Sequence, residues 1–189
     1  DANRLRVRIM YMTAIELSIL DWLQTARCGF LDAVMPIITT LGDSGIIWIL
    51  LTLVLLCIPR YRRTGLTMAC ALALDVVCCN LLLKPLVARV RPFDANPLVE
   101  LIVGRPTDWS FPSGHTAASF ASTAALYASG EPLWIPAAVL SVLIAFSRLY
   151  LYVHYPTDVL AGLVLGTVLG VLGRKLFLFL ERKVGRKAS

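Results

Sequence analysis

The sequence predicts an all-α integral membrane bundle, and two observations support this prediction. Hydrophobic residues make up 58% of the 189-residue chain and charged residues only 16%. With a mean hydropathy of +0.74, this composition is too apolar for a soluble domain of the same size and excludes intrinsic disorder. The apolar residues also gather into runs long enough to cross a bilayer. The length favours one membrane domain over residues 1–189.

Six apolar segments account for the predicted bundle. Four of them approach the length of a complete crossing, and these are 46–58 within 41–58, 66–83, 133–153 and 155–180. Segment 117–128 is short and rich in Ala and Ser, which suits a helix packed inside the bundle. The stretch 15–41 contains Asp21, Arg27 and Asp32 among apolar residues at helical spacing, so we expect an interfacial helix followed by a short crossing. The sequence therefore predicts about six transmembrane helices, or five plus a partly interfacial N-terminal helix.

Basic residues cluster at the ends of the apolar segments. Three groups contain twelve of the 18 basic residues: Arg4, Arg6 and Arg8; Arg60, Arg62 and Arg63; and Arg174, Lys175, Arg182, Lys183, Arg186 and Lys187. Such clusters flank membrane spans on the cytoplasmic side. Six crossings would then place a turn at 41–45, the long connection 85–112 and both histidines on the extracytoplasmic side. This placement of charge also argues against a nucleic-acid partner.

Each of the chain's two histidines stands among polar residues at the end of an apolar segment. Imidazole suits proton transfer and nucleophilic attack near neutral pH. His115 ends the sequence Pro112-Ser113-Gly114-His115. Ser113 is predicted to cap the following helix, whose first backbone N–H groups would form an anion site.

The second histidine, His154, lies six residues after Arg148 and four before Asp158. If a helix begins near Pro156, the Asp158 carboxylate and the imidazole meet across its first turn. A carboxylate in that position would fix the tautomer of the ring and raise its basicity.

The third polar cluster is Lys84 with Arg91-Pro92, at the outer end of another apolar segment. Lys84, Arg91 and Arg148 are expected to converge on one site, where planar guanidinium groups fit a phosphate well. Two histidines and three cations indicate phosphoryl transfer, in which one imidazole attacks phosphorus and the other protonates the leaving oxygen. The sequence has no carboxylate cluster to hold a divalent metal, so we expect neither a metal nor a cofactor.

Together, these residues resemble the signature of the type 2 phosphatidic acid phosphatase superfamily, membrane lipid phosphatases that share a site with vanadium haloperoxidases. The matching elements are Lys84-x6-Arg91-Pro92, Pro112-Ser113-Gly114-His115 and Ser147-Arg148-x5-His154-x3-Asp158. The signature region spans residues 84–158, and the flanking apolar segments agree with the six-helix membrane branch of that family.

The resemblance implies a role for each motif residue. His154 would be the nucleophile that forms a phosphohistidine, Asp158 would orient it, and His115 would be the general acid. The phosphoryl group would be bound by Lys84, Arg91, Ser113, Gly114 and Arg148.

The resemblance also implies partners: a lipid phosphate substrate and the surrounding membrane lipids. The chain resembles short bacterial members, so undecaprenyl diphosphate is the first candidate substrate, in a bacterial cytoplasmic membrane with the site facing the extracytoplasmic side. Phosphatidylglycerophosphate and phosphatidic acid are alternatives, since the motifs recognise the phosphoryl group and not the lipid tail. A lipid phosphotransferase would use the same residues. The alternative outside the enzymes is a non-catalytic membrane scaffold or a lipid transporter.

Several polar and aromatic residues lie outside the motifs, and the sequence leaves alternative roles for some of them. Arg89, Arg105 and Asp108 either contact the substrate headgroup or are solvated. Asp75 and Asn80 are expected to bridge helices or to support Lys84. The tryptophans expected to anchor the chain at the membrane interface are Trp48, Trp109 and Trp134. The sequence predicts no oligomeric state.

Overall fold

The computed structural model describes residues 2–187, and the side chains of residue 4 and of residues 10–184 within that range. Regular secondary structure in this range is helical, which confirms the all-α prediction. The α-helices are α1 (Ala2–Gln24), α2 (Gly29–Leu41), α3 (Ile46–Cys57), α4 (Arg62–Asp75), α5 (Lys84–Val87), α6 (Pro92–Ala95), α7 (Gly114–Ala128), α8 (Trp134–Tyr150) and α9 (Pro156–Lys187). A π-helical segment, Val76–Leu83, joins α4 to α5.

Two helical stretches among the described residues are long and apolar enough to cross a membrane, Pro59–Ala95 and Pro156–Val184. Helices α2 and α3, bent by 43° relative to each other, qualify together as a third. Helix α8 is apolar but has 17 residues, and α7 has 15. By length and composition the structure supports two or three spans, so the predicted count of about six is not confirmed.

The structure has the turn predicted over residues 41–45, and the apolar run that follows it forms α3. Ser44 and Gly45 have φ values of 51° and 68°, which no α-helix accommodates. A short 3-10 turn, Asp43–Gly45, therefore separates α2 from α3. A side chain at Gly42 would lie 2.8 Å from the His115 ring, so this interruption packs directly against one of the two histidines.

Helix α7 is the centre of the bundle, as its Ala- and Ser-rich sequence predicts. It packs against α4, α8 and α9, and its side chains from Thr116 to Leu126 are mostly buried. Trp48 is also buried, at 1% exposure, and donates a hydrogen bond to Ser119 at 2.9 Å. The prediction that Trp48 anchors the chain at the membrane interface is therefore wrong.

Helices α7 and α9 approach closely because α9 presents glycines to α7. A Cβ atom at Gly162 would lie 2.7 Å from the Ser113 carbonyl oxygen, and one at Gly170 would lie 2.5 Å from that of Ala121. Neither distance leaves room for a methyl group. Where the two helices begin, the Ser113 N–H donates a hydrogen bond to the Asp158 carbonyl at 3.0 Å. This contact joins the start of α7 to the first turn of α9.

A hydrophobic cluster holds the connection between α8 and α9. It includes Leu20 from α1, Met35 from α2, Phe93 from α6 and the residues 150–153. The structure describes the side chains of only some of the basic residues predicted to cluster near the two chain ends. Those outside the described side chains are Arg6, Arg8, Arg186 and Lys187.

The variant Gly170→Ala tests the close approach of α7 and α9. This exchange usually stabilises a helix, but here the added methyl group would press on the Ala121 carbonyl. We expect the free energy of unfolding to fall by about 1–3 kcal/mol. The measurement is the midpoint of thermal unfolding in detergent, which should be lower than that of the wild type. Gly29→Ala is the control, because a Cβ atom there meets nothing within 4 Å. Equal midpoints for the two variants would contradict the packing argument.

Candidate active site

A cavity of about 380 Å³ opens where α7 and α9 begin and α8 ends. Six of the residues predicted from the sequence line it: Lys84, Arg91, Gly114, His115, Arg148 and His154. The other two predicted residues, Ser113 and Asp158, are fully buried and lie outside the lining. The structure thus gathers both histidines and all three predicted cations around one cavity.

His154 stands in the connection between α8 and α9 and is 1% exposed. Its Nε2 atom lies 3.3 Å from Arg91 Nη1. Burial is the largest influence on this ring and, with the charges of Arg148 and Arg91, lowers the pKa of His154 to about 3 against the opposing effect of Asp158. The imidazole is therefore neutral near pH 7 and has a lone pair available for attack.

Asp158 lies in the first turn of α9, behind the His154 ring as the sequence predicts. Its Oδ2 atom is 3.6 Å from His154 Nδ1, which is too long for a hydrogen bond, so the carboxylate acts on the ring as a nearby charge. The carboxylate itself accepts hydrogen bonds from Ser110 Oγ at 2.5 Å, the Tyr155 N–H at 2.9 Å and Arg89 Nη1 at 2.6 Å. These donors fix its position in the fold.

His115 begins α7 and contacts the turn between α2 and α3. Its Nε2 atom lies 2.8 Å from Asp43 Oδ1. The sequence analysis did not single out Asp43. The signal was present, because Gly42-Asp43-Ser44-Gly45 is a polar, glycine-containing interruption of an apolar run.

Lys84 and Arg91 both bind the carboxylate of Asp108. The Lys84 ammonium contacts one oxygen, and Arg91 Nη2 donates to the other at 2.6 Å. Burial raises the pKa of Asp108, but the hydrogen bonds and charges of Lys84 and Arg91 outweigh burial and lower this pKa to about 2. Asp108, whose role the sequence left open, therefore places a negative charge between two of the three predicted phosphate-binding cations.

Arg148 is 4% exposed, which is unusual for a charged side chain. Its Nη1 atom donates to Thr39 Oγ1 at 2.5 Å. Its Nε atom has no hydrogen-bond partner among the described residues. Because an unsatisfied buried donor is costly, an anion in the cavity would offer Arg148 an acceptor.

Ser113 caps α7 as predicted, because its hydroxyl oxygen accepts from the Thr116 N–H. The Thr116 hydroxyl also donates to it at 2.9 Å, so this oxygen faces the helix and not the cavity. Gly114 does line the cavity. A side chain there would approach Asn80 Oδ1 to 3.3 Å and Lys84 Nζ to 3.5 Å, so glycine keeps the backbone of α7 accessible beside the cation.

Asp75 and Asn80 line a neighbouring cavity of about 680 Å³. Lys84, Gly114 and His115 border both cavities. The side chains that add apolar surface to the second cavity include Ile49, Leu72, Val76 and Ala118. Asp75 is buried, and its Oδ1 atom has no hydrogen-bond partner among the described residues, so the expected bridge between helices is not seen for that atom.

Comparison with known proteins adds independent information. A family model described as the PAP2 superfamily matches residues 64–181. An undecaprenyl-diphosphatase of Sulfolobus acidocaldarius is 35% identical over 127 residues, which is 67% of this chain and 61% of that protein. The aligned region thus spans less than two thirds of the archaeal protein.

Two further comparisons extend over most of the chain. A decaprenylphosphoryl-5-phosphoribose phosphatase of Mycobacterium tuberculosis is 34% identical over 169 residues, 88% of this chain and 89% of that protein. The crystal structure of a transmembrane PAP2-type phosphatidylglycerolphosphate phosphatase from Bacillus subtilis superimposes with a TM-score of 0.70. It is 28% identical in sequence and covers 88% of this chain and 86% of its own.

These matches confirm the resemblance that the three motifs indicate. The family model covers more than half of the described bundle, from α4 to α9, and a solved transmembrane member shares the fold of most of the chain. The chain therefore belongs to the PAP2 superfamily, as an integral membrane phosphatase that hydrolyses phosphate esters.

Proposed function

We propose that the protein is a metal-independent lipid phosphatase that works through a phosphohistidine, with undecaprenyl diphosphate as its first candidate substrate. The observation that carries the proposal is the convergence of two histidines and three cations on one cavity. Lys84, Arg91 and Arg148 would hold the charge on the phosphoryl oxygens. Because these side chains supply positive charge, the reaction needs no metal ion for that purpose.

In the first step, Nε2 of neutral His154 attacks phosphorus and the bond from phosphorus to the leaving oxygen breaks. The ring becomes positively charged as the N–P bond forms, and the buried Asp158 carboxylate at 3.6 Å compensates that charge. Burial and the charge of Arg148 lower the pKa of His115 to about 4, so in this mechanism His115 takes up its proton when the anionic substrate binds beside it. His115 borders both cavities and gives this proton to the leaving oxygen. Asp43 orients the His115 ring through the 2.8 Å contact.

In the second step, water attacks the phosphohistidine. His115 takes a proton from this water, the N–P bond breaks, and inorganic phosphate leaves the site. The His154 ring returns to its neutral state, and His115 is again protonated for the next cycle. A phosphotransferase would differ only in the acceptor, which would be an alcohol in place of water.

A lipid substrate is supported by the apolar surface beside the catalytic cavity. Ile49, Leu72 and Val76 line the neighbouring cavity, where an isoprenoid or acyl chain attached to the phosphate would be accommodated. The archaeal relative is an undecaprenyl-diphosphatase, which favours a polyprenyl diphosphate. The B. subtilis structure is that of a phosphatidylglycerolphosphate phosphatase, which makes the corresponding glycerolipid the second candidate. Phosphatidic acid is a third.

The proposed location is a bacterial cytoplasmic membrane, and the distribution of charge supports a site on its extracytoplasmic side. Arg62 and Lys84 mark opposite ends of one helical stretch, which corresponds to about 30 Å, the thickness of a hydrocarbon core. At the end away from the cavity, Arg63 pairs with Glu181 at 2.6 Å. The arginine-rich turn thus lies opposite the site, where the positive-inside rule places the cytoplasm.

The proposed chemistry is tested by phosphate release from undecaprenyl diphosphate, phosphatidylglycerophosphate and phosphatidic acid, with purified protein in detergent and excess chelator. We expect turnover without metal and the highest kcat/KM for the diphosphate. His154→Ala should lower kcat by at least about 10³-fold, because the nucleophile is lost, with an unchanged unfolding midpoint.

Each contrary result has a defined meaning. A strict magnesium requirement would contradict the metal-independent mechanism, and full activity of His154→Ala would exclude the phosphohistidine. Phosphate appearing on an added alcohol would identify the phosphotransferase. A wild-type protein that turns over none of these lipids would favour the scaffold or transporter.

Membrane orientation is tested with single cysteines in a background whose exposed native cysteines, Cys28 and Cys57, are replaced by serine. Leu98 is 91% exposed in the connection between α6 and α7. We expect Leu98→Cys to react with a membrane-impermeant maleimide on intact cells. Arg60→Cys, in the arginine-rich turn, should react only after lysis. The reverse pattern would invert the proposed topology.

The variant Asp108→Asn tests whether this carboxylate competes with phosphate for Lys84 and Arg91. Removing the competing charge should lower the inhibition constant of inorganic phosphate about two- to fivefold, the range expected for a partly exposed ion pair. The control is Asp94→Asn, because Asp94 lies 3.9 Å from the exposed Arg105. Weaker inhibition of Asp108→Asn would instead mean that Asp108 orients the two cations.

A further inference from the structure

Two charged residues outside the motifs, Glu16 and Arg89, are joined to the Asp158 carboxylate. Arg89 Nη1 donates to Asp158 Oδ1 at 2.6 Å, and its Nη2 atom bonds to Glu16. Glu16 is 5% exposed and belongs to α1, which contacts α8 and α9. The mechanism described above uses neither residue.

The guanidinium of Arg89 is held from several directions. It lies 3.8 Å from the centre of the Tyr155 ring, a distance typical of stacking. Nη1 also donates to the Thr157 hydroxyl at 2.7 Å. The backbone carbonyl of Arg89 accepts from the Ser110 N–H at 2.9 Å, and the Ser110 hydroxyl donates to Asp158. Arg89 therefore reaches Asp158 both directly and through Ser110.

Glu16 binds the start of α9 as well as Arg89. Its Oε1 atom accepts from the Thr157 N–H at 2.9 Å and from the Thr157 hydroxyl at 2.5 Å. The first N–H groups of a helix have no partner within the helix and favour a negative charge. Glu16 thus fixes the turn that carries Asp158, while its other oxygen fixes the arginine that binds Asp158.

The charges of this group explain why both residues are needed. Arg89 alone would neutralise Asp158 and leave no charge to compensate the His154 ring when it becomes cationic. Glu16 supplies a second carboxylate, so the three side chains together have one net negative charge facing His154. Without Arg89, two carboxylates would be buried near one another, which is strongly unfavourable.

We propose that Glu16 and Arg89 form a positioning pair that holds the Asp158 carboxylate in place and charged behind His154. The inference rests on the proposed function, in which His154 is the nucleophile. In this proposal α1 takes a direct part in organising the site. This helix lies before the residues matched by the family model. The chemical step, and not substrate binding, depends on the pair.

The test compares Arg89→Gln, Arg89→Lys and Glu16→Gln with the wild type in the lipid phosphatase assay. We expect Arg89→Gln to lower kcat about 10- to 100-fold, the loss typical of misplaced catalytic groups, with KM changed less than threefold. Arg89→Lys should recover part of kcat, and Glu16→Gln should lose less than Arg89→Gln. Rapid-quench trapping of the phosphoenzyme should show slower formation of the phosphohistidine.

The control is Arg27→Gln, which removes an arginine-to-carboxylate pair with Asp32 at 3.1 Å away from the cavity. It should leave kcat unchanged.

Because Glu16 and Arg89 act as one unit, the double variant Glu16→Gln/Arg89→Gln should lose no more activity than Arg89→Gln alone.

The outcomes separate this inference from the proposed function. If the wild type is active and the kcat values of Arg89→Gln and Glu16→Gln are within threefold of its kcat, the positioning pair is overturned. The proposal that the protein is a phosphatase then stands. A rise in KM at constant kcat would also overturn it. If Arg89→Gln unfolds, Arg89→Lys and Glu16→Gln decide the question. An inactive wild type would overturn the proposed function and this inference together.

Discussion

The close approach of α7 and α9 is the constraint on which the rest of the structure depends. Glycines on α9 allow the backbones to approach until the Ser113 N–H reaches the Asp158 carbonyl. The two helices begin at the same level, so His115 and Gly114 on one helix stand beside His154 and Asp158 at the start of the other. Any side chain larger than hydrogen at the contact would separate these two halves of the site.

The site is also an arrangement of buried charges, most of which compensate one another. Asp108 pairs with Lys84 and Arg91, and Asp158 pairs with Arg89. Arg148 differs, since its contacts are to neutral Thr39 and its Nε atom has no partner among the described residues. Uncompensated buried charge is costly, so this part of the cavity is the one that gains most from an incoming anion.

Two local relationships within the candidate site were predictable from the sequence. The four-residue spacing of His154 and Asp158 and the capping position of Ser113 follow from helix geometry alone. The contacts that it missed join distant segments: Glu16 and Arg89 are 73 residues apart, and Asp43 and His115 are 72. The periodicity of the sequence does not predict such contacts. The turn between α2 and α3 was predicted, but its contact with His115 was not.

Five of the eight residues in segment 108–115 contribute to the site. Asp108 binds two cations, Ser110 binds Asp158, Ser113 caps α7, and Gly114 and His115 line the cavity. Inserting or deleting one residue in this segment would displace all these groups together. Val103, Gly104 and Pro106, just before the segment, also line the cavity. We therefore expect changes in loop length to be tolerated best in the part of the connection that precedes Val103.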